Sequence, residues 1–291
     1  MKRVFVLAAL LASSACATTP REPTGDSVIL AKAVTDIETR SGGRLGVAVT
    51  DARGNLLFGH RADERFAMCS TFKLLLAGQV LERAARGVSL RTPLSFVHTD
   101  LVPYSPGTEK LLGPDGKGEQ RLGFAARDAI VLSDNTAANL ILKQMGGPAV
   151  FTAALHGAGD TVTRLDRIEP ELNENALGDV RDTTSPAAMA KSAAAYVFGD
   201  RLPGDGRKQL RGWMIESETG LKRIRAGLPQ GWLAGDKTGT CGTAYNDVAF
   251  VEEPGGAKYM IAVYLDRPVV QGDTANAAIA EVARAVVRDL P

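Results

Sequence analysis

Residues 232–265 read WLAGDKTGTCGTAYNDVAFVEEPGGAKYMIAVYL, and the reading of this stretch decides the fold. Apolar, β-prone residues gather in Trp232–Lys237, Val248–Glu252 and Tyr259–Leu265, with Pro254-Gly255-Gly256 as a turn, which predicts three strands. Behind them Ile279, Val282, Ala283, Val286, Val287 and Leu290 recur at 3.6-residue spacing and predict a final helix. The other end of the chain mirrors this. Asp26 or Ser27 can cap a helix with Leu30, Ala33, Val34 and Ile37 on one face. Leu45, Val47 and Val49 then alternate as a strand, and Ala52-Arg53-Gly54-Asn55 turns the chain into Leu56–His60. Between the two ends lies an Ala/Leu-rich, mostly helical middle, from about Phe66 to about Glu216. Strands at both ends with helices between predict one sheet built from the two termini and a helical domain inserted into it.

The chain has 291 residues, 34 Lys+Arg against 33 Asp+Glu, which is length enough for one large domain or two modest ones. A net charge of +1 leaves no electrostatic footprint for nucleic acid, and the near-average composition excludes disorder, collagen and coiled coil for the whole. Three cysteines are an odd number, so one thiol is free or absent from the mature protein. The N-terminus points to which. Met1, Lys2 and Arg3 are a basic start, Val4 to Ala12 is an apolar run too short to span a bilayer, and Ala15-Cys16-Ala17 is a small-residue cleavage site. Cleavage of residues 1–17 as a signal peptide removes Cys16 and leaves Cys69 and Cys241. The alternative is lipidation at Cys16, since Ser14-Ala15-Cys16 is a partial lipoprotein box, with Ser13 where that box prefers Leu. No other stretch reaches membrane length, so the mature protein is expected to be periplasmic or secreted, where a disulfide persists.

Three short motifs carry chemistry. Ser70-Thr71-Phe72-Lys73 puts a hydroxyl and an amine on one face of a helix, so that a desolvated lysine can act as base on a serine nucleophile. Alone, such a spacing arises by chance roughly once in a chain of this length. Ser133-Asp134-Asn135 supplies a second hydroxyl able to relay a proton and an amide able to hold an amide-bearing substrate, although the triplet is also a good helix N-cap. Lys237-Thr238-Gly239-Thr240 follows a predicted strand with a cation, two hydroxyls and a glycine that admits close approach to the backbone.

The order S-x-x-K, S-D-N, K-T-G resembles the class A β-lactamases and penicillin-binding proteins over essentially the whole mature chain. The resemblance implies an α/β fold of the α+β type. Its antiparallel sheet is built from residues 26–65 and 217–291, its all-helical domain spans residues 66–216, and its active site lies at their interface. Arg167-Ile168-Glu169-Pro170-Glu171-Leu172-Asn173 is similar to the R-x-E-P-E-L-N segment of class A β-lactamases, which penicillin-binding transpeptidases lack. A carboxylate there can activate water on an acyl-enzyme, with Asn173 holding that water. By the same resemblance Arg167 and Asp182 pair across the neck of an Ω-loop at 167–182.

Carried over motif by motif, the resemblance makes Ser70 the nucleophile, with Lys73, Ser133 and Glu169 catalytic, and either Lys73 or Glu169 as the base for acylation. The Ser70 and Thr240 backbone N–H groups form the oxyanion hole, and Tyr104 matches the aromatic gatekeeper of the cleft. Asn135 takes the acylamido side chain. The substrate carboxylate falls to Lys237, Thr238, Thr240 and Arg223, the last being the arginine of a subset of the family, because Ala244, Tyr245, Asn246 and Asp247 stand where many members carry one. Lys222 and Arg225 read as solvated positions of a basic helix. Cys69 precedes the nucleophile and Cys241 follows Thr240, so convergence of the two motifs makes them neighbours. A bridge closing so long a loop is worth roughly 5 kcal/mol in the chain-entropy model. The pair resembles that of the carbapenem-hydrolysing class A enzymes.

Gly113-Pro114-Asp115-Gly116-Lys117-Gly118 is longer than usual in the family and predicts an enlarged surface turn, with an altered cleft rim as the alternative. His60, His98 and His156 show no metal-ligand spacing, so no metal and no cofactor are expected. The partners implied are small-molecule β-lactams, with no nucleic acid, no membrane span and a monomeric state. The alternatives are a penicillin-binding D,D-peptidase and a non-catalytic β-lactam sensor, and Glu169 with Asn173 argues against both.

Overall fold

Residues 25–290 are described, from a computed structural model, with side chains from Val28 onward. The expected leader at 1–17, the Ala17 cleavage site and Cys16 lie outside the described residues, as do the side chains of Asp26 and Ser27.

The first and last segments build the sheet: Leu45, Val47 and Val49 share one face, and residues 248–251 and 259–265 are apolar on both faces. Helix α1 (Gly25–Ser41) leads into strands β1 (Arg44–Asp51) and β2 (Leu56–His60). The C-terminal part supplies β7 (Leu233–Cys241), β8 (Ala244–Glu252), β9 (Lys258–Asp266) and helix α8 (Gly272–Asp289). These strands form one antiparallel sheet in the order β2-β1-β9-β8-β7. Each predicted strand is present, and the three C-terminal ones extend beyond the predicted limits.

Both faces of the sheet are covered. Leu45, Val47, Val49, Ala249, Val251, Ile261, Val263 and Leu265 pack on one side with Leu30, Val34 and Ile37 of α1 and Ile279, Val282, Ala283 and Val286 of α8. The alternate residues Ala48, Val248, Phe250, Met260, Ala262 and Tyr264 join the larger core of the middle region. The alternation of β1 therefore separates two cores rather than core from solvent.

The middle region runs β3 (Phe66–Ala67), α2 (Phe72–Ala85), β4 (Pro93–Val97), β5 (Lys117–Arg121), α3 (Leu122–Val131), α4 (Asn135–Met145), α5 (Pro148–His156), β6 (Thr183–Thr184), α6 (Pro186–Val197) and α7 (Gly204–Ile215). Helices dominate it, joined by two short strand pairs, β3 with β6 and β4 with β5. The long turn at Gly113–Gly116 precedes β5, closed by Gly113 N–H to Lys117 O at 2.7 Å and by Gly116 at φ +74°. Helix α2 is the axis of this region: every residue from Phe72 to Leu81 is buried, including Lys73. Among the described residues no helix is long and apolar enough to cross a membrane.

Gly78 lets α6 approach α2, since a Cβ at 78 would lie 2.8 Å from the Tyr196 ring. That ring is held by Arg201 stacked 4.5 Å from its centroid and by its hydroxyl donating to Glu82 at 3.1 Å. Gly78→Ala should therefore cost about 1–3 kcal/mol of stability through overpacking. Gly212→Ala in α7, with nothing within 4 Å of the added Cβ, should instead raise the thermal unfolding midpoint through helix propensity. Thermal unfolding of both variants checks the pair.

Candidate active site

Ser70 lies in a single 3₁₀ turn, Cys69–Thr71, that feeds directly into α2, so Lys73 follows one turn later on the same face. Lys73 Nζ donates to Ser70 Oγ at 3.0 Å, to the Ser133 carbonyl at 2.8 Å and to Asn135 Oδ1 at 2.5 Å. Glu169 Oε1 stands 3.0 Å from the same nitrogen, and neither side chain has any exposed surface. Burial pushes the Lys73 ammonium below the usual lysine range, while the Glu169 carboxylate and, more weakly, Asp134 push it back up. Lys237 Nζ donates to Ser133 Oγ at 3.0 Å and to the Thr238 carbonyl at 2.8 Å. It is held well below the usual range by burial and then by the neighbouring Lys73 charge. Two motifs read separately in the sequence thus meet across Ser133.

The Ser133-Asp134-Asn135 triplet serves both of its readings. Asp134 is the N-cap of α4, accepting from Ala137 N–H at 2.8 Å, and its carboxylate also takes the Gly107 and Thr108 N–H groups and the Thr108 hydroxyl. Ser133 is left at φ +59° with its carbonyl turned to Lys73. Asn135 Nδ2 donates to the Pro103 carbonyl at 2.8 Å and its backbone N–H to the Tyr104 carbonyl at 3.0 Å, so the rim residue Tyr104 projects into solvent from a fixed backbone. Of the six non-glycine residues with positive φ among the described residues, Cys69, Tyr104, Ser133 and Asp182 belong to the predicted site. Such conformations persist only where surrounding contacts enforce them.

Glu169 is placed from two sides. Asn139, one helical turn beyond Asn135 on α4, accepts from the Glu169 N–H at 2.9 Å and donates to its carbonyl at 2.7 Å. Asn173 Nδ2 donates to Glu169 Oε2 at 2.5 Å. At the loop neck Arg167 Nε donates to Asp182 Oδ2 at 2.6 Å, while Asp182 Oδ1 takes the N–H groups of Asp166 and Arg167 at 2.7 and 2.9 Å.

On the sheet side Arg223 is nearly buried. Its Nη2 donates to Thr240 Oγ1 at 2.6 Å, its Nη1 to the Gly239 and Asn246 carbonyls, and its Nε to Asn276 Oδ1 at 2.9 Å. Burial depresses its pKa. Thr238 shares a 2.7 Å hydrogen bond with Thr219. Cys69 and Cys241 form a disulfide with Cα atoms 5.7 Å apart, joining the nucleophile's turn to β7.

Two expectations change. Gly239 admits the chain's own backbone rather than a ligand: a Cβ there would lie 2.6 Å from the Met68 carbonyl and 3.1 Å from Thr71 Cγ2. The segment around Arg223 is a 3₁₀ turn, Ile224–Gly227, and Arg225 is not solvated but ion-paired with Asp236, which is fully buried. Lys222 is exposed, 3.0 Å from Asp273.

Sequence reading did not find Asn246, whose Nδ2 donates to the Ala67 and Met68 carbonyls at 2.9 and 3.2 Å and braces the segment before the nucleophile. Nor did it find Asp247, which accepts the Ile224 N–H at 3.0 Å and is pushed well up by burial and by Asp236. Asn139 had a signal, the i,i+4 spacing from Asn135. Asn246 and Asp247 had none, because their partners lie far away in the chain. Among the described residues no cluster of His, Cys, Asp or Glu could hold a metal ion.

Ser70 in contact with the desolvated Lys73, and the buried Glu169 carboxylate in contact with the same amine, fit a serine hydrolase. A sequence model described as "Beta-lactamase enzyme family" matches residues 29–290. Beta-lactamase L2 of Stenotrophomonas maltophilia is 41% identical over 278 residues, 94% of this chain and 90% of that one. The carbapenem-hydrolyzing beta-lactamase KPC of Klebsiella oxytoca is 41% identical over 265 residues, 90% and 89% respectively. The solved class A β-lactamase of the last common ancestor of Gram-negative bacteria (GNCA4) superposes with a TM-score of 0.85 at 51% identity, over 89% of this chain and 98% of that one. The chain belongs to the class A β-lactamases, hydrolases of the β-lactam amide bond.

Because Glu169 raises the Lys73 pKa, removing its charge should lower it. In Glu169→Gln, Lys73 should titrate at lower pH than in the wild type, as followed by NMR of ¹³C-labelled lysine Cε. An unchanged or raised titration point would contradict the electrostatic assignment.

Proposed function

We propose that the chain hydrolyses penicillins, cephalosporins and carbapenems through an acyl-enzyme on Ser70, conferring resistance to these antibiotics. The observation that carries this is the Ser70–Lys73–Glu169 chain of contacts at 3.0 Å each. Lys73 first passes a proton to Glu169, 3.0 Å away, and as a neutral amine takes the Ser70 proton while Ser70 Oγ attacks the lactam carbonyl carbon; Glu169 acting through a water is the other base for this step. The negative charge forms opposite the Ser70 and Thr240 backbone N–H groups. The C–N bond then breaks, and Ser133 hands its proton to the leaving nitrogen while Lys73 restores the Ser133 proton. Glu169, its first proton returned to Lys73, takes a proton from a water held with Asn173; the resulting hydroxide attacks the ester carbon, and the C–O bond breaks as Glu169 passes that proton through Lys73 to Ser70 Oγ.

The substrate carboxylate is met by Lys237, Thr238, Thr240 and, through Thr240, Arg223. Asn135 takes the acylamido group and Tyr104 flanks the opening. Arg167 and Asp182 hold the loop. Carbapenem turnover is supported by the Cys69–Cys241 bridge and by likeness to KPC, named for that activity. The division at residues 66 and 217, a leader cleaved after Ala17, a periplasmic or secreted location and a monomeric state complete the reading.

Wild-type protein should turn over a chromogenic cephalosporin many times per active site, whereas Glu169→Ala should stop at one acyl group, visible as added intact mass. Stoichiometric acylation of the wild type without turnover would make the protein a penicillin-binding acceptor instead. Carbapenem hydrolysis, followed by loss of absorbance, should be measurable and should fall in Cys69→Ser. A wild-type protein that leaves carbapenems intact would overturn that part.

A further inference from the structure

The Arg167–Asp182 neck fixes the two ends of the loop carrying Glu169, and Arg167 also reaches inward to Glu174, donating to its carboxylate at 2.5 Å and to its carbonyl at 3.3 Å. Leu177, 89% exposed, shows how little packs against the tip. A second attachment lies between. Asn175 Nδ2 donates to Asp266 Oδ1 at 2.7 Å, and the Arg267 guanidinium donates to the Asn175 carbonyl. Asp266 ends β9, is nearly buried, and takes Arg44 Nη2 at 3.0 Å and Nε at 3.3 Å on its other oxygen. Arg44 continues to Glu64 at 3.0 Å and to the Arg65 carbonyl at 3.1 Å, with its guanidinium 4.5 Å from the Phe66 ring centroid. The Arg267 N–H donates to the Thr243 carbonyl at 3.0 Å, in the turn between β7 and β8, and its φ is +51°. Both groups that grip Asn175 are thus themselves held, one by β1 and one by the hairpin beside the disulfide.

We propose that Asn175, Asp266 and Arg267 form a clasp that sets the position of Glu169 against the acyl-enzyme, making them positioning residues for deacylation; this rests on the role given to Glu169 above. Asn175 lies two residues beyond Asn173, whose side chain bonds the Glu169 carboxylate, so slack at Asn175 reaches that carboxylate directly. Ser70 comes from the turn before α2, Lys73 from α2 and Ser133 from the link between α3 and α4, and the hydrogen bonds of Asn175, Asp266 and Arg267 go to none of these residues. Loosening it acts on the second half-reaction. In an acyl-enzyme scheme a slower second step lowers kcat and KM together and leaves kcat/KM unchanged.

The experiment compares Asn175→Ala, Arg267→Ala and Leu177→Ala with the wild type and with Glu169→Ala, using a chromogenic cephalosporin and intact mass during turnover. In Asn175→Ala and Arg267→Ala, kcat and KM should fall in parallel by about tenfold or more, with kcat/KM within about twofold and a larger acylated fraction. Leu177→Ala, on the same loop but outside the clasp, should behave as wild type. The clasp is overturned if both variants keep the wild-type kcat, or lose kcat/KM at unchanged KM, while Glu169→Ala accumulates acyl-enzyme. If Glu169→Ala itself turns over at the wild-type rate, the role of Glu169 fails and the clasp fails with it.

Discussion

A lysine ammonium with no exposed surface is the constraint on which the site depends. Removing such a charge from water costs several kcal/mol unless neighbouring groups replace the lost hydration. Lys73 has three protons and four oxygens around it, from Ser70, Ser133, Asn135 and Glu169. These oxygens come from three separate parts of the chain: the turn before α2, the link between α3 and α4, and the Ω-loop. Satisfying one nitrogen therefore sets the mutual position of all three, and the same contacts that settle the charge bring the Ser70 hydroxyl and the Glu169 carboxylate to one amine.

The sheet side is ordered by a different device. In β8, Asn246 and Asp247 point to opposite faces because consecutive strand residues must. Asn246 reaches the carbonyls before the nucleophile on one face, while Asp247 takes the Ile224 N–H on the other, and the Asn246 carbonyl receives Arg223. One dipeptide thereby registers both the turn that carries Ser70 and the turn that follows Arg223. The disulfide from Cys69 to Cys241 braces the same segment from β7.

Much of this was legible in the sequence, and the reason differs by element. The strands at both ends were readable because their apolar residues alternate locally. Ser70, Lys73, Ser133, Glu169, Lys237 and the cysteine pair were readable because each sits in a short motif whose internal spacing is fixed by a helix, a cap or a strand. What escaped was decided by tertiary contact. Arg225 reads as one more surface cation until Asp236 is found buried beneath it. Gly239 reads as a gap for a ligand until Met68 is found filling it. Asn175 and Asp266 are 91 residues apart and carry no local sign of meeting.

Among the described residues, strand β7 closes one side of the sheet and pairs with β8 alone. An uncovered strand margin of this length is ordinarily a hazard, since its unpaired backbone groups invite a second chain to add on. Beside this margin the Met68 carbonyl and Thr71 pack where a Cβ on Gly239 would stand, and the Arg223 guanidinium bonds the Gly239 carbonyl. A side chain at position 239 would press on the Met68 carbonyl and on Thr71, and so force the turn that carries Ser70 away from β7.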